Sequence, residues 1–268
     1  MRRIMSIGSI VFVVFAVLAG IVLLGWVGLR IKARPFAALD EAGTAPEMVS
    51  LPEDLPAPVE RFFREVYGDR VPVVESAVIS GRARLRIMGI SFPARFRFTH
   101  VAGERYRHDI EATIFGLRLM TVKEVYEGGH ARLELPFGIS EGAKIDQGAN
   151  LALWAEAIWY PSVWLTDPRV AWEPVDEETA VLAVPYGEKQ QRFVARFDPA
   201  TGMLRFFESM RYKGEESEEK TLWINEVTRW EALEGTVAPT GAEVTWFDEG
   251  KPWAVFDTEE VVYNAAVE

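Results

Sequence analysis

From Ile4 to Leu29 the chain runs 26 residues without a charged side chain, built mainly from Ile, Val, Leu, Phe, Ala and Gly. At 1.5 Å per residue a helix of that length reaches about 39 Å, more than the roughly 30 Å of a bilayer's hydrocarbon core. A cleaved signal peptide has a shorter apolar region, roughly 7–15 residues, closed by a small-x-small site. Here the run ends in Gly25-Trp26-Val27-Gly28, which places a Trp at headgroup depth. The expectation is a retained single-pass anchor within residues 1–34. Its flanks are close to balanced, with Arg2 and Arg3 before it and Arg30, Lys32 and Arg34 after it. A short tail preceding a signal anchor normally stays inside, so the domain beyond it is expected outside the cytoplasm. Ala16-x-x-x-Gly20 is a small-x-x-x-small pattern of the kind that pairs spans, and in a Gly/Ala-rich segment it arises easily by chance.

The chain beyond the anchor is acidic. The first 34 residues hold five of the 29 Lys/Arg and no acid, leaving 24 basic against 40 acidic residues, a net −16. Such a surface repels nucleic acid, so no nucleic-acid partner is expected. Cysteine is absent, which excludes disulfides, thiolate metal sites and a Cys nucleophile.

Residues 35–58 contain five prolines and read as an extended spacer, leaving residues 59–268 for a single β-rich domain. Val59, Phe62, Phe63 and Val66 then fall at helical spacing, stopped by Gly68. Beyond that the period changes to two. Ala77, Ile79, Ala83, Leu85 and Ile87 alternate with Val78, Ser80, Arg82, Arg84 and Arg86, and Phe92, Ala94, Phe96 and Phe98 repeat the pattern. Further strands are expected over 104–111, 114–126 and 129–137, with glycine-rich turns between them, as an antiparallel meander. Residues 149–160 are apolar nearly all round and predict a buried helix, capped by Asp146 or Asn150 and ended by Pro161. Seven more strands are expected over 169–258. The fold class expected is mainly β with two short helices, built as a barrel, a sandwich or a strongly curved antiparallel sheet.

No nucleotide loop, nucleophile elbow or H-E-x-x-H occurs, and no cofactor is expected. His100, His108 and His130 lack metal-ligand spacing; His100 and His108 could approach across a hairpin, but surface positions are the commoner outcome, and no metal is expected. Two constellations remain. Arg82, Arg84, Arg86, Arg95, Arg97, Arg105 and Arg107 form a basic cluster suited either to pairing with Glu on neighbouring strands or to holding an anion. Glu156 sits alone in its apolar helix, where an unpaired carboxylate is costly, so a salt bridge to one of those arginines is expected, the alternatives being a ligand-binding polar contact at the mouth of an apolar cavity and an acid/base role. Trp154, Trp159, Tyr160 and Trp164 surround it in sequence and are the aromatic candidates for lining a cavity or an interfacial patch.

Leu55-Pro56-Ala57-Pro58-Val59-Glu60-Arg61-Phe62-Phe63 resembles the opening L-P-x-P-V-x-R-[YF] element of an uncharacterised, membrane-anchored bacterial domain family. Ala155-Glu156-Ala157-Ile158-Trp159-Tyr160-Pro161-Ser162 resembles that family's A-E-x-x-x-x-P-S motif, with a Trp in the next strand, here Trp172. The resemblance spans about residues 55–260; it implies membrane attachment and a β-rich fold, and no activity. The order of elements is also similar to that of LolA-like lipoprotein carriers, whose curved half-barrel sheet encloses an apolar cavity, and the resemblance implies a strongly curved antiparallel sheet of half-barrel form here. The function expected is a membrane-tethered, non-enzymatic domain that binds an apolar or acyl-chain ligand. The alternatives are an envelope enzyme using Glu156 as acid or base, and an assembly protein using a Trp-rich interface.

Overall fold

The computed structural model describes residues 7–39, 43–233 and 235–267. Helix α1 (Ile7–Gly28) is built of apolar residues on every side, and its large side chains from Val11 onward stay exposed rather than packing on the rest of the chain. Val11–Gly28 is long and apolar enough to cross a membrane. Ile4, Met5 and Ser6 of the expected anchor lie outside the described residues.

The Pro-rich stretch runs over the sheet. Phe36 lies beneath the guanidinium groups of Arg95 and Arg97, and the Leu39 amide donates to Glu260. Within the same stretch β1 (Glu47–Ser50) pairs antiparallel with β2 (Arg70–Val73) across α2 (Ala57–Tyr67). Pro58 provides the fixed φ of a first helical turn. The 3.6 period then buries Val59, Phe62, Phe63 and Val66 together, and Gly68, at φ 74°, ends the helix.

The body of the protein is one 13-stranded antiparallel sheet made of two meanders. The first runs outward through β3 (Ser76–Ile87), β4 (Ile90–Val101), β5 (Arg105–Ile114), β6 (Leu117–Glu127), β7 (His130–Leu135) and β8 (Gly138–Ser140). A helical crossing comes next: α3 (Ala143–Ala155), a 3-10 turn over Glu156–Trp159, and α4 (Val163–Thr166). The second meander returns through β9 (Ala171–Pro174), β10 (Thr179–Tyr186), β11 (Lys189–Phe197), β12 (Leu204–Arg211), β13 (Thr221–Leu233), β14 (Thr236–Trp246) and β15 (Pro252–Tyr263). β15 then pairs with β3, so the two meanders meet at a seam and β8 and β9 are left at the two edges.

The sheet is not closed, yet it is strongly curved. α3 packs on both β7 and β10, which are ten strand spacings apart in the sheet. Laid flat, those strands would be about 48 Å apart, whereas a 13-residue helix is about 20 Å long and 10 Å across. Only a sheet wrapped around α3 brings both within reach. α2 packs on β10 and β14 at one end of this half-barrel, with Phe62 against Phe197 and Trp230.

The buried helix differs from its expected span and caps. It begins at Ala143 after Gly142, six residues earlier, and tightens into 3-10 geometry before Pro161. Neither expected capping residue caps it. Asp146 instead accepts the Ala131 amide, and Asn150 lies mid-helix, bonded to strands on both sides. Polar side chains on a buried helix are drawn to orphan groups of the sheet around them, a demand that sequence spacing does not display.

Candidate functional site

The wrapped sheet does not fill with side chains. A cavity of about 500 Å³ lies between α3, the inner face of β3–β6 and the inner face of β12–β15. Its walls include Leu85, Ile110, Met120, Val122, Ile158 and Trp223. The alternation of the strands explains the apolar wall: the residues expected on the buried parity, Ala83, Leu85, Ala94, Phe96 and Phe98, all turn inward.

Strand directions place the cavity's rim. The turns at 88–89, 115–116 and 136–137 and the 3-10 turn Phe247–Glu249 all fall at one end of the sheet. The cavity lining reaches that end at Ile87, Leu135, Phe137 and Lys213. The same end carries exposed apolar side chains: Met88, Phe115, Leu117, Phe137 and Phe247. It is also where α1 joins, because the Phe115 amide donates to the Gly28 carbonyl at 2.9 Å and the Phe115 ring packs on Gly28.

One polar group is built into the apolar interior. His100 on β4 and His108 on β5 are diagonal neighbours on the inner face, with ring centroids 5.9 Å apart. Glu156 reaches them from the turn after α3. His108 Nε2 donates to Glu156 Oε2 at 2.6 Å, and His100 Nε2 lies 3.1 Å from the same oxygen without hydrogen-bond alignment. On the far side of His108, Nδ1 is 3.5 Å from Glu124 Oε2, the residue directly opposite it on β6. Burial disfavours a charged His108, but the Glu156 and Glu124 carboxylates outweigh that and raise its pKa. Burial likewise works against ionised Glu156, and the two histidines reverse it, holding the carboxyl well below the usual range. Burial pushes the His100 pKa down.

Two sequence expectations fail here. His100 and His108 are buried, 0% and 4% exposed, rather than at the surface. Glu156 is paired with these histidines and not with an arginine. The reason is parity. The arginines occupy the opposite face of β3, β4 and β5, separated from Glu156 by the thickness of the sheet, whereas His100 and His108 share the parity of Phe96 and Phe98.

On that outer face the arginines pair locally. Arg82 bonds Glu259, Arg86 bonds Glu249 at 2.7 Å and Arg95 bonds Glu111 at 2.6 Å. Arg97 donates to the Ala37 carbonyl, while Arg84 is exposed and makes no ion pair among the described residues. Arg82 and Arg84 share a surface cleft with Arg30 and Lys32, and Glu259 and Asp257 in the same cleft offset them.

Of the aromatic candidates, only Trp159 borders the cavity; its indole N–H donates to the Pro239 carbonyl and to Thr258 Oγ1. Trp154, Tyr160 and Trp164 are in the packed core, with Trp164 against Trp172 and Phe207. Sequence reasoning missed Arg211 altogether. It lies on the cavity wall, stacked 4.4 Å from the Trp223 ring and against the bare backbone of Gly148. Its buried Nε has no hydrogen-bond partner, and no carboxylate pairs with it among the described residues.

Several solved structures share the fold's outline at low identity. One is a LolA superfamily protein from Nitrosomonas europaea, 11% identical, matched over 80% of this chain and 96% of that one with a TM-score of 0.47. Another is a DUF1329 family protein from Desulfovibrio piger, 12% identical over 73% of this chain and 88% of that one, TM-score 0.42. No curated protein matches the sequence. The family signature lies in the sequence itself, over residues 46–258, from β1 through most of β15, and on that match the chain belongs to the DUF6544 family, a family of unknown function.

Proposed function

We propose that the protein is a membrane-tethered, non-enzymatic binding module that takes an apolar or acyl-chain ligand into the cavity between α3 and the curved sheet. The observation that carries this reading is the placement of the cavity. An apolar chamber of about 500 Å³ reaches the end of the half-barrel where α1 joins and where Met88, Phe115, Phe137 and Phe247 stand exposed. Its size lies within the roughly 300–1,000 Å³ of small-molecule sites. With α1 in a bilayer, that rim meets the lipid surface, and a chain can pass from the membrane to the cavity without crossing water. Arg211, half-buried at the cavity wall with its Nε enclosed and no carboxylate beside it among the described residues, offers a charge to an anionic head.

The full chain, purified from membranes in mild detergent, is expected to release an acyl-chain lipid on solvent extraction and to bind a fluorescent fatty acid. Val122→Trp, which fills the chamber from the β6 wall, is expected to reduce that binding at least tenfold with the thermal transition kept. Equal binding by the folded variant would refute the reading.

The proposed setting is a bacterial inner membrane, spanned once by a retained α1, with the β-rich domain outside the cytoplasm. The chain has no cysteine, so a single Thr201→Cys in the exposed Asp198–Gly202 turn gives a clean reporter. Labelling of intact spheroplasts by a membrane-impermeant maleimide is the expected result; labelling only after lysis would reverse the orientation.

A further inference from the structure

The geometry points to a metal site: His100 Nε2, His108 Nε2 and the Glu156 carboxylate form a two-histidine, one-carboxylate set for a first-row divalent transition ion, beside the cavity.

Three observations support it. First, the ligand atoms of the three residues lie within 4.8 Å of one another, delivered by β4, β5 and the turn after α3. Tetrahedral ligands about Zn2+ sit about 3.3 Å apart, given metal–ligand bonds near 2.0–2.1 Å. The His100–Glu156 separation of 3.1 Å needs almost no change, and the 2.6 Å contact of His108 must open by several tenths of an ångström. Second, His100 is fully buried and neither ring nitrogen has a hydrogen-bond partner. A His108–Glu156 pair alone accounts for two residues and leaves the desolvation cost of His100 without compensation; coordination through Nε2 gives the His100 ring one partner as well. Third, His108 has a carboxylate on its other nitrogen, Glu124 Oε2 at 3.5 Å from Nδ1. A carboxylate behind a histidine is the outer arrangement that orients metal-binding imidazoles and fixes their tautomer.

The donor set selects among ions. Two imidazoles and one carboxylate suit Zn2+ or Fe2+, whereas Ca2+ and Mg2+ require mostly oxygen ligands. Glu156, His108 and Glu124 all border the cavity, so the side of the set not covered by protein faces the chamber. A position left open there can take water or a polar group of a cavity ligand. Metal binding does not depend on the proposed carrier role, because the probe is the ion alone and the readout is spectroscopic.

The test uses the full chain in detergent, stripped with chelator and titrated with Co2+. The expected result is one Co2+ per chain with the visible absorption of a nitrogen/oxygen site, abolished by one equivalent of Zn2+ and unaffected by millimolar Mg2+ or Ca2+. His100→Ala is expected to weaken binding at least 100-fold. Glu124→Gln is expected to weaken it about 10–100-fold while preserving the spectrum, as for other outer-layer carboxylates. His130→Ala, on an exposed residue paired with Asp146, is the control expected to change nothing. Should His100→Ala lose its cooperative melt, Glu156→Gln keeps the side-chain size and serves in its place. The proposal is overturned if the wild-type chain takes up no Co2+. It is equally overturned if Mg2+ competes on equal terms, or if a folded His100 or Glu156 variant retains the wild-type spectrum and affinity.

Discussion

Asn150 sits near the middle of α3 and bonds to both meanders at once. Its carbonyl accepts the Tyr126 hydroxyl of β6, and its amide donates to the Pro185 carbonyl of β10 and to Gln191 Oε1 of β11. Removing it strands buried groups on three strands. Asn150→Leu, similar in volume and unable to bond, is expected to lower unfolding stability by about 1–3 kcal/mol in a urea titration. A loss below about 0.5 kcal/mol would mean that water or rearrangement meets those groups. Nothing in the local sequence marks this role, because the partners lie 24 to 41 residues away. Glu156 behaves in the same way. A carboxylate in an apolar helix announces that it must have a partner, and the residue scale says no more. Whether that partner is an arginine or a histidine depended on which residues of β4 and β5 the turn after α3 came to meet.

Elements were the most legible level. The amphipathic period of α2 and the alternation along β3 and β4 are local, and each formed where the pattern placed it. The seam between the meanders was not legible, since it pairs residues near opposite ends of the chain. Gly81 shows what the seam demands. A β-bulge in β15 brings the Asp257 carbonyl to 2.2 Å from where a Cβ on Gly81 would sit. Any side chain there pushes the two backbones apart. Gly81→Ala is therefore expected to cost about 1–3 kcal/mol by the same titration. The outcome to look for against this is a neutral substitution, which would mean that the bulge can shift register.

At the scale of the whole molecule, curvature, cavity and rim are one consequence of topology. Two meanders joined along β3 and β15 leave edges at β8 and β9, and wrapping around α3 buries the inner face of both. α3 and α2 fill part of the trough, and the unfilled part is the chamber. The exposed rim then has a function to be tested apart from that of the chamber. Met88→Asp with Phe247→Asp changes no residue of the cavity wall and replaces apolar groups proposed to touch lipid. In reconstituted vesicles this double variant is expected to slow exchange of a fluorescent fatty acid severalfold, with equilibrium binding in detergent little changed. Unchanged exchange would show that the ligand enters from water.

The sequence by itself determined what depends on neighbours along the chain. That comprises an uncharged helix long enough to span a bilayer, an amphipathic helix opened by proline, strands with one apolar parity, and the absence of cysteine chemistry. It also carried the signature by which the family is recognised. Tertiary structure alone decided what depends on residues far apart in sequence: the pairing of β3 with β15, the meeting of His100 and His108 with Glu156, and the local acidic partners of the arginines on the outer face. The physical reason is the same for all three. A period of two fixes which residues share a face of a strand and marks the apolar one, but which residues meet on that face is set only when the sheet curls around a helix delivered from elsewhere in the chain.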